Sequence, residues 1–190
     1  MGGTTRVPAE PHALALLRGG ARAAVAVTVL DLHLRGAVRA GRPGTMRTSG
    51  PVTGAPLPAL AKAVHASLYR PAGMGQLLER RAVREALGAL RGDLAGVGLL
   101  RRFPPGRTRA GRRALREARS RHPLPARPDG LSAGDRVLLV ALYGDRALTL
   151  LAPHFAREAG LTGRGGTTER ELRPSWDRGS GGGGFTCGTV

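Results

Sequence analysis

Residues 25–50 and 83–111 follow one pattern, and this repetition limits the possible folds more than any single motif does. In each, an apolar run ends at a glycine, leaves as an apolar segment closed by arginine, and turns at Gly/Pro. It then returns through an Arg-Thr or Thr-Arg pair to a second glycine. Leu32, Gly36, Val38 and Arg39 stand opposite Leu94, Gly98, Leu100 and Arg101 at a constant offset of 62 residues; with one residue dropped, Gly50 then stands opposite Gly111. Gly36 and Gly98 suit the left-handed conformation that closes a helix. Arg42-Pro43-Gly44 and Pro104-Pro105-Gly106 are turn sequences. Each copy therefore predicts a helix followed by a small hairpin, the second half of a winged helix.

The sequence as a whole predicts a mainly α protein: two tandem winged-helix-like units, a C-terminal helical pair and a disordered Gly-rich tail. The units span residues 9–50 and 59–121, the pair 131–160, with linkers at 51–58 and 122–130 and disorder at 1–8 and 161–190. Residues 11–18 read as a short helix broken by Gly19-Gly20. Residues 22–35 alternate at Val25, Val27 and Val29 as a strand would, but their length and alanine content favour a buried helix. Helices are expected at 59–69, with Leu60, Val64 and Leu68 on one face, at 73–80, and at 82–97, with Val83, Leu87, Leu90, Leu94 and Val97 facing inward. A basic helix or frayed extension follows at 111–121, and helices at 135–142 and 145–158 end the folded part. Leu142-Tyr143 and Leu151 fall 74 residues after Leu68-Tyr69 and Leu77, a third, wingless echo of the helical half.

Net charge is +17, and of the 30 basic residues only Lys62 is lysine. There is no Asn and one Gln, Gln76, a bias typical of a GC-rich genome. Cys187, the single cysteine, excludes an internal disulfide and a cysteine metal cluster within one chain. No run of 18 apolar residues exists, and the longest candidate, residues 23–34, holds Asp31 and His33, so no membrane span is expected. Residues 1–12 lack the apolar core of a signal peptide. The expected location is cytoplasmic, with peripheral attachment to a membrane as a variant.

The phrases at residues 17–25, LRGGARAAV, 32–39, LHLRGAVR, 106–115, GRTRAGRRAL, and 155–163, FAREAGLTG before a Gly-rich tail, resemble an uncharacterised family of high-GC bacterial proteins. Its members are catalogued as membrane proteins of unknown function with a Gly-rich, often Cys-bearing C-terminal tail. The resemblance implies membrane association but transfers no catalytic residue, and this chain departs from it in lacking a span.

Nine arginines and one acid, Glu117, lie between residues 101 and 121. Guanidinium groups pair phosphate oxygens bidentately, so Arg101, Arg102, Arg107, Arg109, Arg112 and Arg113 are the candidate polyanion-binding residues. Base readout is poorly served, because the outward positions of the second copy are Arg84, Glu85, Gly88, Arg91, Gly92 and Ala95. In the first copy Arg22, Thr28, Asp31, His33 and Arg35 face outward on the same pattern. His12, His33, His65, His122 and His154 make no metal-binding spacing, and His154 with Glu158 gives two ligands at most. No nucleophile elbow, zinc-protease helix or phosphate loop is present. The expectation is a non-enzymatic interaction module without cofactor, small-molecule substrate or metal, binding a protein partner, anionic lipid or DNA through basic wings. A winged-helix DNA-binding protein of low sequence specificity is the first alternative, and an enzyme is the second.

Overall fold

The computed structural model describes residues 10–52 and 56–162. The chain is mainly α. In order it forms α1 (Pro11–Leu34), β1 (Val38–Ala40), β2 (Met46–Thr48), α2 (Ala59–Ser67), α3 (Met74–Glu79) and α4 (Arg81–Gly96). Then come β3 (Leu100–Arg101), β4 (Gly106–Arg107), α5 (Arg109–Arg121), α6 (Ala133–Tyr143), α7 (Asp145–Leu151) and α8 (Pro153–Glu158).

Helix α1 is the hub. Its middle is kinked at Gly19 and Gly20, where Gly20 takes φ 72°, open to glycine and strained for other residues. Beyond the kink Ala24, Val25, Val27, Val29, Leu30 and Leu32 are buried, so the valine alternation belongs to a helix covered nearly all round. Thr28, expected outside, is buried instead, and its hydroxyl donates to the Ala24 carbonyl at 2.8 Å. His33, also expected outside, stacks on Phe155 at 3.7 Å between ring centroids. The helix packs chiefly on α6 and also touches α2, α3, α4 and α5. One hydrophobic cluster accordingly runs from Ala13 to Leu161 through all of these helices. By length and composition α1 could cross a membrane, with an 18-residue window of mean hydropathy 1.6, but 61% of that window is buried within the fold and a core helix passes the same test.

The duplicated stretches fold alike down to individual bonds. Gly36 and Gly98 sit at φ 74° and 76°. In the first copy the Gly36 amide donates to His33 and the Ala37 amide to Leu32; in the second the Gly98 amide donates to Ala95 and the Leu99 amide to Leu94, all at 2.9–3.0 Å. These are the paired bonds that satisfy the last carbonyls of a helix before a glycine. Just past the return strand the Ser49 hydroxyl donates to the Gly36 carbonyl at 2.6 Å, and the Thr108 hydroxyl to the Gly98 carbonyl at 2.7 Å. The strands are antiparallel, with Val38 opposite Thr48 and Leu100 opposite Arg107. Ser49 is therefore the counterpart of Thr108, and the second hairpin is three residues shorter rather than one. Gly111 has no hairpin counterpart. It lies inside α5, which starts at Arg109 rather than at residue 111.

Three further boundaries differ from expectation. The helix predicted at 145–158 is two, because Ala152 precedes Pro153 and takes φ −147°, ψ 54°, outside the helical region. Val97, expected on the inner face of α4, is its half-exposed C-cap. Leu161, assigned to the tail, is buried, and its amide donates to Ala156 at 2.8 Å. Most of the expected tail, with Trp176 and Cys187, and the expected disorder at 1–8 lie outside the described residues.

Candidate polyanion groove

Helix α5 owes its position to Thr108. The Thr108 oxygen accepts the Gly111 amide at 3.0 Å, an N-cap, while its hydroxyl hydrogen reaches the end of α4. One side chain thus joins the helix end, the hairpin and the next helix. Thr108→Ala is expected to lower unfolding stability by about 1–2 kcal/mol, and Thr108→Ser to restore most of it, as urea denaturation would show.

The apolar side of α5, formed by Gly111, Ala114, Leu115 and Ala118, is buried. This turns Arg112, Arg116 and Arg119, spaced i, i+4 and i+7, along one edge of the helix. Together with Arg107 of β4 and Leu115 they line an open groove of about 440 Å³. Among the described residues the side chains of Arg107, Arg112 and Arg116 make no hydrogen bond or ion pair. The one acid of the helix, Glu117, is held by Arg121. Arg119 is anchored: its Nε donates to the Leu142 carbonyl at 3.0 Å, and its guanidinium lies 5.8 Å from the centre of the Tyr143 ring. The Tyr143 hydroxyl in turn donates to the His122 carbonyl at 3.0 Å. Arg119 therefore both lines the groove and locks α5 to α6.

Of the six arginines singled out from the sequence, the groove takes Arg107 and Arg112. Arg101 is exposed on β3, Arg102 lies in the hairpin turn, and Arg109 and Arg113 are exposed elsewhere on α5. Arg116 and Arg119 complete the lining, and their helical spacing from Arg112 was the signal that could have found them.

A second, mainly neutral groove of about 550 Å³ lies at the exit of the first hairpin, lined by Thr48, Ser49, Gly50, Pro51, His65, Ala66 and Tyr69. Thr48 occupies the register position of Arg107. The His65 ring hydrogen-bonds the Gly50 carbonyl through Nε2 at 3.1 Å, which fixes this wall to α2. Among the described residues, no three His, Cys, Asp or Glu side chains group as metal ligands would.

No family model matches the chain, and neither the curated proteins nor the solved structures provide a match.

Proposed function

We propose that this chain is a non-enzymatic docking module that holds a polyanionic surface against β4 and α5. The observation that carries the reading is the groove of Arg107, Arg112, Arg116 and Arg119, three of them free to accept a phosphate and the fourth fixed in place. The surrounding sequence strengthens it, because no acid occurs between Asp93 and Glu117. An unopposed row of guanidinium groups attracts phosphate without distinguishing what carries it.

A winged-helix-like DNA binder is the second reading. It is supported by the order α2–α3–α4–β3–β4, three helices followed by a hairpin, and by the basic hairpin itself. The exposed side of α4 weighs against it, since Glu85, Gly88, Gly92 and Asp93 share that side with Arg84 and Arg91.

Co-sedimentation with anionic vesicles and fluorescence anisotropy with a random DNA duplex, both across a salt series, test the proposal. The expected result is binding that weakens steeply as salt rises. An absence of binding to both at low salt would overturn it.

A further inference from the structure

The two hairpins share their bonding but not their surroundings. At the first, the turn is exposed but tied to the body of the fold: the Gly44 amide donates to the Glu158 carbonyl at 2.9 Å, and Gly44 lies against Gly160, at the C-terminal end of α8. At the second, every residue from Arg101 to Arg107 is exposed. The turn of that hairpin carries Phe103, which is 84% exposed. A phenyl ring left bare at the tip of a two-stranded projection is costly in water, and the turn of the first hairpin, residues 41–44, is exposed but carries no aromatic ring.

Basic groups surround the ring. Arg101 and Arg102 precede it, and Arg107, four residues later, belongs to the groove. A DNA backbone has no use for an apolar projection of this kind outside the base stack. An anionic bilayer presents phosphates at its surface and hydrocarbon just beneath, and so matches both components at once.

We propose that the β3–β4 hairpin is a membrane-insertion tip, with Phe103 entering the interface of an anionic phospholipid bilayer while Arg107, Arg112 and Arg116 hold headgroup phosphates. This rests on the polyanion reading of the groove and names its partner. The arginines supply attraction and orientation; the ring supplies retention. Because Phe103 makes no part of the core, its replacement leaves the fold standing.

The test uses the full chain and vesicles of equal parts phosphatidylglycerol and phosphatidylcholine. Trp176, the one tryptophan, is changed to Phe, and Phe103→Trp then places the sole indole at the tip. On adding vesicles the emission is expected to shift to shorter wavelength and to be quenched by lipids brominated on their acyl chains. In the natural background Phe103→Ser is expected to weaken vesicle binding roughly tenfold, and Phe103→Leu to retain most of it. Vesicle binding without an emission shift would overturn insertion while leaving the arginine groove intact. Failure to bind vesicles, with duplex DNA bound tightly, would overturn the lipid assignment and keep the polyanion reading. Binding to neither would remove both.

Discussion

Gly111→Ala is expected to destabilise the protein by about 2 kcal/mol or more, although the same change in an open helix stabilises. A β-carbon at this position would stand under 3.0 Å from the Leu99 carbonyl oxygen and 3.1 Å from Cδ1 of Leu17. Neither neighbour can yield easily. The Leu99 carbonyl accepts the Thr108 amide at 3.1 Å, its own amide closes α4 on Leu94, and its side chain is buried. A clash this close with a backbone atom lies at the upper end of the overpacking cost, about 3 kcal/mol or more, which leaves about 2 kcal/mol or more after the gain of about 1 kcal/mol that alanine brings to a helix interior. Gly88 and Gly92 on α4 provide the control, since a β-carbon there meets nothing within 4 Å. Gly88→Ala and Gly92→Ala are each expected to raise stability by about 0.5–1 kcal/mol. Urea midpoints of the three variants settle the matter: a stabilised Gly111→Ala would mean that α5 does not press on β3.

That contact also marks where the sequence stopped being legible. Local chemistry was readable: Gly36 and Gly98 announce the helix ends, the Pro/Gly clusters announce the turns, and Leu60, Val64 and Leu68 announce the buried face of α2. Gly111 reads from the sequence as the counterpart of Gly50, because spacing alone cannot separate a residue that closes a repeat from one that admits a neighbour. The bonds of Ser49 and Thr108 make that distinction, since they fix the return strands three residues out of step with the first strands. The split of α7 from α8 is legible at Pro153, which disfavours the helical conformation at Ala152. What joins distant segments was not readable: the Arg18 side chain donates to the Ala141 carbonyl at 2.8 Å and its guanidinium fills the space beside Gly144, where φ is 66°. The groove was half legible. An excess of arginine was obvious, but which arginines converge depends on the rotation of α5, and that is set by Gly111, Ala114, Leu115 and Ala118 seeking the core.

Arg107→Ser, Arg112→Ser and Arg116→Ser combined are expected to weaken binding to anionic vesicles by roughly 100-fold, at about 1 kcal/mol for each charge brought to the surface. Arg119 stays in this variant, because its bonds to α6 would confuse a loss of binding with a loss of structure. The three replaced side chains are exposed and unpartnered among the described residues, so the urea midpoint should hardly move. Salt dependence separates the arginines from the hairpin tip. Ionic attraction fades with added salt and burial of Phe103 does not, so the triple variant should bind weakly but with a flatter salt response than the natural chain. Loss of two charges on α4, Arg84→Ser with Arg91→Ser, tells the two readings of the fold apart. It should leave vesicle binding within about threefold, since neither residue lines the groove. If instead the α4 pair abolishes binding to duplex DNA and the groove triple leaves vesicle binding unchanged, α4 is the working surface and the groove is not.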